Sequence, residues 1–401
     1  MNNLLIISAV FNPEPVVSAK LSEDIANALS KEHHVSVIAP CPTRPFGFKL
    51  SENKENKPYN LINLNSYTCP ESNLLGRLRE SYSFGRSCEK YIKKNHNDID
   101  IIYMNSWPIF AQYLTVKAAY KYNISIITHV QDIYPESLST KIPTLGVLFN
   151  FIFIGIDKII LRKSTKVIAI SEKMKKYLSK SRLISLEKIK VVQNWQNEDA
   201  FINYESIKKP LEKKIFTFMY MGNVGPVAGI DLLIEGFCKA DLKNCQLIIA
   251  GSGSKKNELK NMVSSRKIER VNFVDVPDGK VPEIQGSANV MLLPIKKGAA
   301  SSSIPSKLPA YMFSKKPIIA SVDFDCDSAR VINEAKAGWV VEPENIDMLI
   351  DAMREASITE KSELELKGLN GFDFAMENLS KKNNLSKIVK VLSDQILIKK
   401  T

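Results

Sequence analysis

Short apolar runs alternate with segments of helical periodicity along the first half of the chain. Leu4–Ile7 and Val35–Ile38 have the length of buried strands, and Leu21, Ile25 and Leu29 recur between them at helical spacing. A strand, a helix and a second strand in this order form the βαβ unit of a parallel sheet. The same alternation predicts a helix at 110–122 and further strands at 99–104, 125–130, 166–170 and 190–192.

The alternation stops at residues 203–214 and then starts again. This stretch has no apolar periodicity and contains Pro210, so we predict a linker there. The interval 42–73 is rich in Pro, Asn and Ser and predicts a long loop. Beyond the linker we expect helices at 229–239, 255–264 and 347–356 and strands at 216–221, 246–250, 271–274, 290–293 and 318–321.

Two doubly wound α/β domains explain this pattern. The first is predicted to be residues 1–202, followed by the linker 203–214 and by a second domain at 215–378. The remaining segment, 379–401, is basic and has a helical pattern. Such folds bind ligands at the carboxyl ends of their strands, so both sheets are expected to contribute to one cleft.

The composition favours an anionic partner, because the net charge is +12 and the sequence pI is about 9.2. No nucleic acid is expected, since neither a recognition helix nor an aromatic RNA-binding sheet can be identified. The six cysteines form no CxxC pair and no zinc-type spacing with histidine, so no metal is predicted. The apolar run at the N-terminus lacks a preceding basic region and is not typical of a secretion signal.

Two glycine-containing turns in the second domain each follow a predicted strand and lead into a helix. Glycine lets a backbone approach a ligand closely, and the amides at the start of a helix favour a phosphate. A plain structural turn is the alternative in each case. Because both turns lie at one edge of one predicted sheet, together they indicate a nucleotide-binding surface. The candidate residues are Gly222, Asn223, Val224, Gly225, Gly251 and Gly253.

The segment 301–312 suggests a binding site for a diphosphate. Ser303 and Ser306 are residue types that cap helices, and Lys307 adds a full positive charge. Together with Pro305, these residues predict a diphosphate cradle that needs no metal. A capped surface helix with a solvated lysine is the alternative.

In the first domain, His129, Asp132 and Glu136 follow one another at the end of the strand predicted at 125–130. A strand end of a parallel sheet faces the ligand cleft. These side chains are therefore candidates for a catalytic base or for a contact with an acceptor hydroxyl. A carboxylate in this position can instead cap a helix.

Residues 146–163 combine large apolar side chains with a basic end, Arg162 and Lys163. Such a segment suits a helix at a bilayer interface, and it equally suits a core helix of the first domain. It contains Asp157 and Lys158, and its apolar part is too short to span a bilayer. Further basic residues at 77–94 suit anionic lipid, a polyprenyl diphosphate or a solvated face.

Six short motifs occur in order along the chain. They are FNPEP at 11–15, QDIYPES at 131–137, QNW at 193–195, GNVG at 222–225, IPSK at 304–307 and GWVVEP at 338–343. In these motifs the chain resembles the retaining family-four glycosyltransferases of the GT-B fold, in the branch that builds bacterial O-antigen and capsule sugars. The resemblance implies two Rossmann-like domains facing a central cleft, with the helix at 379–401 returning to the first domain.

The resemblance also implies the substrates. The C-terminal domain would bind a nucleotide-diphosphate sugar, with Asp275 and Val276 near the base, and the N-terminal domain would bind a polyprenyl-diphosphate-linked saccharide as acceptor. The transfer would retain the anomeric configuration and need neither metal nor cofactor. The enzyme would lie in the cytoplasm, peripherally associated with the anionic inner face of the cytoplasmic membrane.

The chain departs from the family at several positions. Ser302 and Ala310 stand where relatives have two glutamates, and Asn223 and Ala228 stand where relatives have a basic pair. Phosphate binding would then depend on helix-start amides, on Lys307 and on the 222–225 turn. A nucleotide-sugar epimerase of the same fold and a catalytically degenerate scaffold therefore remain as alternatives.

Overall fold

A computed structural model of the chain shows two compact units, Met1–Asn194 with Asn384–Thr401, and Trp195–Asn383. The first unit is therefore discontinuous in the sequence, and the second is continuous. The structure describes residues 1–14, 16–43, 56–69, 73–105, 108–136, 146–207, 215–298 and 304–400.

Within the described residues, the first unit is built on a parallel seven-stranded sheet in the order β3-β2-β1-β4-β5-β6-β7. The strands are β1 Asn3–Ile7, β2 His34–Pro40, β3 Asn60–Leu64, β4 Ile101–Asn105, β5 Ser125–Val130, β6 Lys166–Ala169 and β7 Ile189–Val191. The helices are α1 Val17–Leu29, α2 Leu74–Asn95, α3 Ile109–Lys121, α4 Gly146–Lys163 and α5 Glu172–Arg182. The central strands are apolar and buried, as parallel strands covered on both faces must be.

The second unit contains a parallel six-stranded sheet in the order β10-β9-β8-β11-β12-β13. The strands are β8 Phe216–Met221, β9 Cys245–Ala250, β10 Val271–Val274, β11 Val290–Pro294, β12 Ile318–Ser321 and β13 Gly338–Val341. The helices are α6 Asp199–Ile207, α7 Ile230–Ala240, α8 Lys256–Ser265, α9 Val281–Gly286, α10 Lys307–Phe313, α11 Asp327–Glu334, α12 Ile346–Ile358 and α13 Lys361–Asn378, and α14 Lys381–Lys400 runs from this unit into the first.

The strand order of the second sheet changes direction between β8 and β11. From β8 the chain proceeds outward to β9 and β10, and then returns to β11 on the other side of β8. Ligands of doubly wound folds bind in the crevice at such a switch point, at the carboxyl ends of the strands. The two doubly wound α/β domains predicted from the sequence are confirmed, and the switch point of the second sheet is where a ligand is expected.

The interval 42–73 is not a continuous loop, because it contains β3, which pairs in parallel with β2. β3 is an edge strand whose residues are exposed or only partly buried. A strand with one neighbour needs few apolar residues, and the two asparagines of Asn-Leu-Ile-Asn-Leu made this segment look like a loop.

Residues 203–207 are helical rather than part of a linker, because α6 continues to Ile207. Phe201 on this helix is buried, with its ring centroid 5.8 Å from that of Phe313. Tyr204 lies against Gly286, whose missing side chain leaves room for its ring. These two aromatic contacts place α6 in the second unit, although its surface shows no apolar periodicity, whereas the sequence assigned residues up to 202 to the first domain. Residues 208–214 lie outside the described part of the chain.

The α4 helix has one buried and one open face. Phe153, Ile160 and Leu161 belong to the core of the first unit, whereas Phe151 and Ile152 are exposed. The interpretation as a core helix is confirmed for the buried face, and the interpretation as a helix at a bilayer interface stays a prediction. Among the described residues, no helix has the length and apolarity needed to cross a membrane.

Replacing Phe201 by alanine should lower the free energy of unfolding by about 3–5 kcal/mol, since a buried aromatic ring is lost from the core of the second unit. The matched control is Ile202→Ala, which removes an exposed side chain from the same helix and should change the free energy by less than about 0.5 kcal/mol. Urea denaturation measures both. Equal, small effects would mean that α6 is a loosely attached linker helix.

Candidate functional site

The two glycine turns of the second unit lie side by side, because they follow the adjacent parallel strands β8 and β9. A Cβ atom at Gly251 would lie 2.2 Å from the carbonyl oxygen of Gly222, and one at Gly253 would lie 2.4 Å from that of Val224. Both positions also have positive φ angles, 125° and 155°. Glycine is therefore required at both positions, and the predicted clustering of the two turns is found in the structure.

Two of the amides predicted to bind phosphate are used inside this arrangement. The Gly222 amide donates to the Ala250 carbonyl at 3.0 Å, and the Val224 amide donates to the Ser252 carbonyl at 2.8 Å. These bonds extend the pairing of β8 with β9 beyond the strands. They exclude both amides as phosphate ligands, which corrects the prediction, and leave Asn223 and Gly225 as the candidates in this turn.

Lys307 lies directly over the first glycine turn. A Cβ atom at Gly222 would lie 2.1 Å from Cε of Lys307, so the lysine chain occupies the space above that glycine. Its Nζ lies 5.5 Å from the centroid of the Tyr220 ring. The structure thus brings together the predicted lysine and the predicted turn, which are about 80 residues apart in the sequence.

The charge of Lys307 has no counter-charge among the described residues, where no carboxylate lies within ion-pairing distance. Burial lowers the pKa of Lys307, and no neighbouring charge contributes to the shift. A partly buried cation costs free energy unless it is paired. Its position at the switch point therefore favours an anionic ligand.

Tyr311 fixes α10 to the end of β8. Its hydroxyl accepts a hydrogen bond from the Met221 amide at 3.0 Å and donates one to the Met221 carbonyl at 2.7 Å. The side chain is fully buried. The sequence did not reveal this role, because an aromatic residue in a helix ordinarily indicates core packing.

The predicted cap by Ser306 is wrong. Ser306 precedes α10 but makes no side-chain hydrogen bond to the helix. Its backbone is already helical, with φ −57° and ψ −17°, whereas a capping residue needs an extended backbone. Pro305 contributes its carbonyl to the Leu308 amide at 3.0 Å. Ser303 and Ser302 lie outside the described residues.

Lys256 joins the second glycine turn to the predicted base-binding segment. Its Nζ donates to the Gly251 carbonyl and to the Asp275 carboxylate, both at 2.6 Å. The hydrogen bond from Lys256 keeps the pKa of the exposed Asp275 below its usual range. Val276 follows and is partly buried. Lys256 is therefore part of this site, although a lysine at a helix start gave no signal in the sequence.

A pocket of about 200 Å³ opens at the carboxyl ends of β11 and β12, beside the start of α7. Its lining includes Gly229, Asp231, Lys296, Ser321 and Glu344. It lies on the β11 side of the switch point. This pocket combines carboxylates, a hydroxyl and a cation, a set that suits a ligand with several hydroxyl groups.

In the first unit, His129 is fully buried at the end of β5. Its Nδ1 lies 2.7 Å from the Tyr103 hydroxyl, and its Nε2 has no hydrogen-bond partner among the described residues. Burial lowers the pKa of His129 to about 3, so the ring is neutral at pH 7. A buried imidazole with this pKa is a poor general base, which corrects the catalytic role predicted for it.

Glu136 is held by an ion pair and is not available as a base. Both its carboxylate oxygens accept hydrogen bonds from Arg182, each at 2.8 Å. Burial acts to raise the pKa of Glu136, but the hydrogen bonds from Arg182 and Tyr177 bring it below its usual range. Asp132 is exposed, and its carboxylate accepts from the Ile133 amide at 2.9 Å. Of the three predicted residues, Asp132 is the candidate for substrate contact.

In the described ranges, no three His, Cys, Asp or Glu side chains are grouped so that they could hold a metal ion.

Models of two known families match most of the chain. The model for "Glycosyltransferase Family 4" matches residues 19–199, and the model for "Glycosyl transferases group 1" matches residues 203–367. The first match contains strands β2 to β7 of the first sheet, and the second match contains all six strands of the second sheet.

Two curated proteins are similar in sequence. The chain is 24% identical over 257 residues to WbjE of Pseudomonas aeruginosa, named as a probable glycosyltransferase, covering 57% of this chain and 60% of that protein. It is 24% identical over 182 residues to WcaI of Escherichia coli (strain K12), named for colanic acid biosynthesis, covering 45% and 43%. The chain thus spans less than two thirds of the length of either relative.

Solved structures share the fold over nearly the whole chain. Sucrose-phosphate synthase from Thermosynechococcus elongatus has a TM-score of 0.72 at 15% identity, covering 99% of this chain and 100% of that one. HepE of Anabaena in complex with UDP has a TM-score of 0.70 at 14% identity, covering 98% and 100%. The predicted GT-B fold is confirmed. The fold and the two family models place this chain among the group 1 glycosyltransferases of the GT-B type.

Proposed function

We propose that the chain transfers a sugar from a nucleotide-diphosphate donor to a lipid-linked saccharide during the synthesis of a bacterial surface polysaccharide. The observation that carries this proposal is Lys307, a partly buried cation without a counter-charge at the switch point of the second sheet. A donor diphosphate supplies the missing negative charge. HepE, which shares the fold, has been solved with UDP.

The donor diphosphate is also the leaving group, so charge develops on it as the sugar departs. Lys307 and the amides of Asn223 and Gly225 would stabilise that charge from fixed positions, as preorganised donors do. In this arrangement protein groups supply the positive charge, and no metal ion is needed. The pocket lined by Asp231 and Glu344 suits the hydroxyl groups of the sugar.

The acceptor hydroxyl would be oriented by Asp132. In a transfer that retains configuration, the acceptor attacks on the face from which the diphosphate leaves, and the diphosphate can take the proton. Asp132 then needs to hold the hydroxyl rather than act as a strong base, which agrees with its exposed position. A hexose or an N-acetylhexosamine would be transferred. The names of WbjE and WcaI support this class of reaction.

A lipid-linked acceptor requires the enzyme to work at a membrane surface, in this proposal the inner face of the cytoplasmic membrane. The open face of α4 presents Phe151, Ile152 and Ile159, which are 82%, 52% and 41% exposed, with Arg162 and Lys163 at the end of the helix. Apolar side chains beside basic ones are typical of surfaces that dock on anionic lipid.

The donor proposal is tested first by thermal shift with UDP, GDP, ADP and CMP, with and without magnesium. We expect one diphosphate to raise the melting temperature independently of the metal. Lys307→Ala should weaken its binding by about 1.5–3 kcal/mol, or roughly 10- to 100-fold, because a charged hydrogen bond is lost. The control Lys243→Ala removes an exposed lysine that precedes β9, at the opposite edge of the sheet, and should leave affinity unchanged.

Two results would contradict the proposal. If no nucleotide stabilises the wild-type protein, the chain is a scaffold that has lost donor binding. If a bound nucleotide sugar is converted to another sugar without an acceptor, the reaction is an epimerisation. Incubation with labelled donor and a polyprenyl-diphosphate saccharide separates these results from transfer.

Donor affinity should decline as the pH rises, and the decline should begin at a lower pH than it would if Lys307 had the pKa of an ordinary lysine. Burial lowers the pKa of free Lys307, so the charge is present below that pKa and is lost as the pH rises through it. Isothermal titration calorimetry between about pH 7.5 and 10 measures this decline. The Lys307→Ala variant should show no such decline in donor affinity. If that variant shows the same decline, a titratable group other than Lys307 causes it.

The membrane proposal predicts binding to vesicles that contain anionic lipid. Phe151→Ser together with Ile152→Ser should reduce co-sedimentation with phosphatidylglycerol vesicles several-fold, because apolar contact area is lost. The control Leu366→Ser changes an exposed leucine of the second unit. Equal binding by all three proteins would place the docking surface elsewhere.

A further inference from the structure

We propose that Arg182 is a positioning residue for acceptor binding, which fixes the segment carrying Asp132 from inside the first unit. This inference rests on the proposed function, in which Asp132 orients the acceptor hydroxyl.

Arg182 uses all five of its N–H groups. Nε donates to Asp157 at 2.6 Å, and Nη1 donates to Glu136 at 2.8 Å and to the Ser181 hydroxyl at 3.1 Å. Nη2 donates to Glu136 at 2.8 Å and to the Tyr134 carbonyl at 3.1 Å. The side chain is fully buried. A lysine, with three donors on one nitrogen, cannot reproduce this set.

These bonds join three elements of the first unit. Arg182 is the last residue of α5, Asp157 lies in α4, and Glu136 and Tyr134 belong to the segment that follows β5. Tyr177, one turn before Arg182, donates to the same Glu136 carboxylate at 2.6 Å. The segment is thus held at a side chain and at a backbone carbonyl by one guanidinium group.

Asp132 lies between two buried anchors. On one side the buried His129 ring contacts Tyr103, and on the other side Arg182 holds Tyr134 and Glu136. Only a few residues separate these anchors, so Asp132 has little freedom to move while its carboxylate remains exposed. This arrangement is what a group that orients a substrate hydroxyl requires.

The cost of the cluster supports a role beyond stability. Burial raises the pKa of Asp157 to about 6 although Arg182 acts in the opposite direction, so placing this carboxylate inside is unfavourable. Buried ion pairs are often no more stabilising than apolar residues of the same volume. What the hydrogen bonds from Arg182 to Glu136 and to the Tyr134 carbonyl provide, and apolar packing does not, is a fixed direction for the segment that carries Asp132.

The test compares Glu136→Gln and Arg182→Lys with Asp157→Asn in the full chain. Asp157 bonds to the same guanidinium but lies on α4, so its replacement leaves the segment attached to Arg182. We expect the first two variants to raise KM or lower kcat for the acceptor at least about tenfold, with unchanged affinity for the nucleotide diphosphate. Tyr177→Phe should have a smaller effect in the same direction, and Asp157→Asn should keep acceptor kinetics near wild type.

A double variant tests whether the cluster acts through Asp132. If it does, Asp132→Asn combined with Glu136→Gln should be no slower than Asp132→Asn alone, because the positioned group is already lost. The proposal is overturned if the double variant shows the product of the two single kinetic defects. It is also overturned if Asp157→Asn and Glu136→Gln have equal acceptor defects, and the cluster then has only a structural role.

Hydrogen exchange supplies a measurement that does not depend on activity. Amides of residues 131–136 should exchange faster in Glu136→Gln and Arg182→Lys than in Asp157→Asn and wild type. Unchanged exchange in all variants would overturn the positioning role. If the wild-type protein transfers no sugar but the exchange pattern appears, the proposed function fails while the anchoring of the segment stands.

Discussion

The donor side of this protein depends on the close approach of two stretches of backbone at the carboxyl edge of the second sheet. The turn after β9 presses against the turn after β8 so closely that no side chain fits at Gly251 or Gly253. The side chain of Lys307 occupies the space above Gly222, where a residue other than glycine would place its Cβ atom. Tyr311 then fixes the lysine-bearing helix to the end of β8. A flexible cation is thereby held at the point where the fold offers its ligand crevice.

The fully buried Arg182 of the first unit and the partly buried Lys307 of the second differ in their partners. In the first unit every N–H group of Arg182 has an acceptor, and the charge is compensated by two carboxylates. In the second unit the Nζ of Lys307 lies 5.5 Å from the centroid of the Tyr220 ring and has no carboxylate partner among the described residues. A saturated cation fixes structure, whereas an unpaired one is available to a ligand. This difference assigns the two residues to different tasks, although both are basic residues at the ends of helices.

Apolar runs and helical spacing were sufficient to predict the buried strands and the division into two sheets, because parallel strands covered on both faces must be apolar. They failed where a few long-range contacts determine the structure. The edge strand β3 has one neighbour, and the contacts of α6 with the second unit include Phe201, Tyr204 and an ion pair between Glu205 and Lys315.

Residue types near a strand end also indicated the right region for the site but not the role of each residue. Glu136 is hydrogen-bonded to an arginine 46 residues later, and the buried His129 is hydrogen-bonded to a tyrosine 26 residues earlier. The absence of a carboxylate near Lys307 among the described residues is likewise a property of the folded chain. Local sequence contains none of these long-range pairings.

The discontinuity of the first unit has a consequence for how the chain is made. Residues 384–401 belong to that unit, so it cannot be complete until the ribosome has also synthesised the whole of the second unit. Domains that are continuous in sequence can fold one after another as they emerge, and here only the second unit has that opportunity. The first unit to be translated is the last to be finished, and until then its sheet must persist without its final helix.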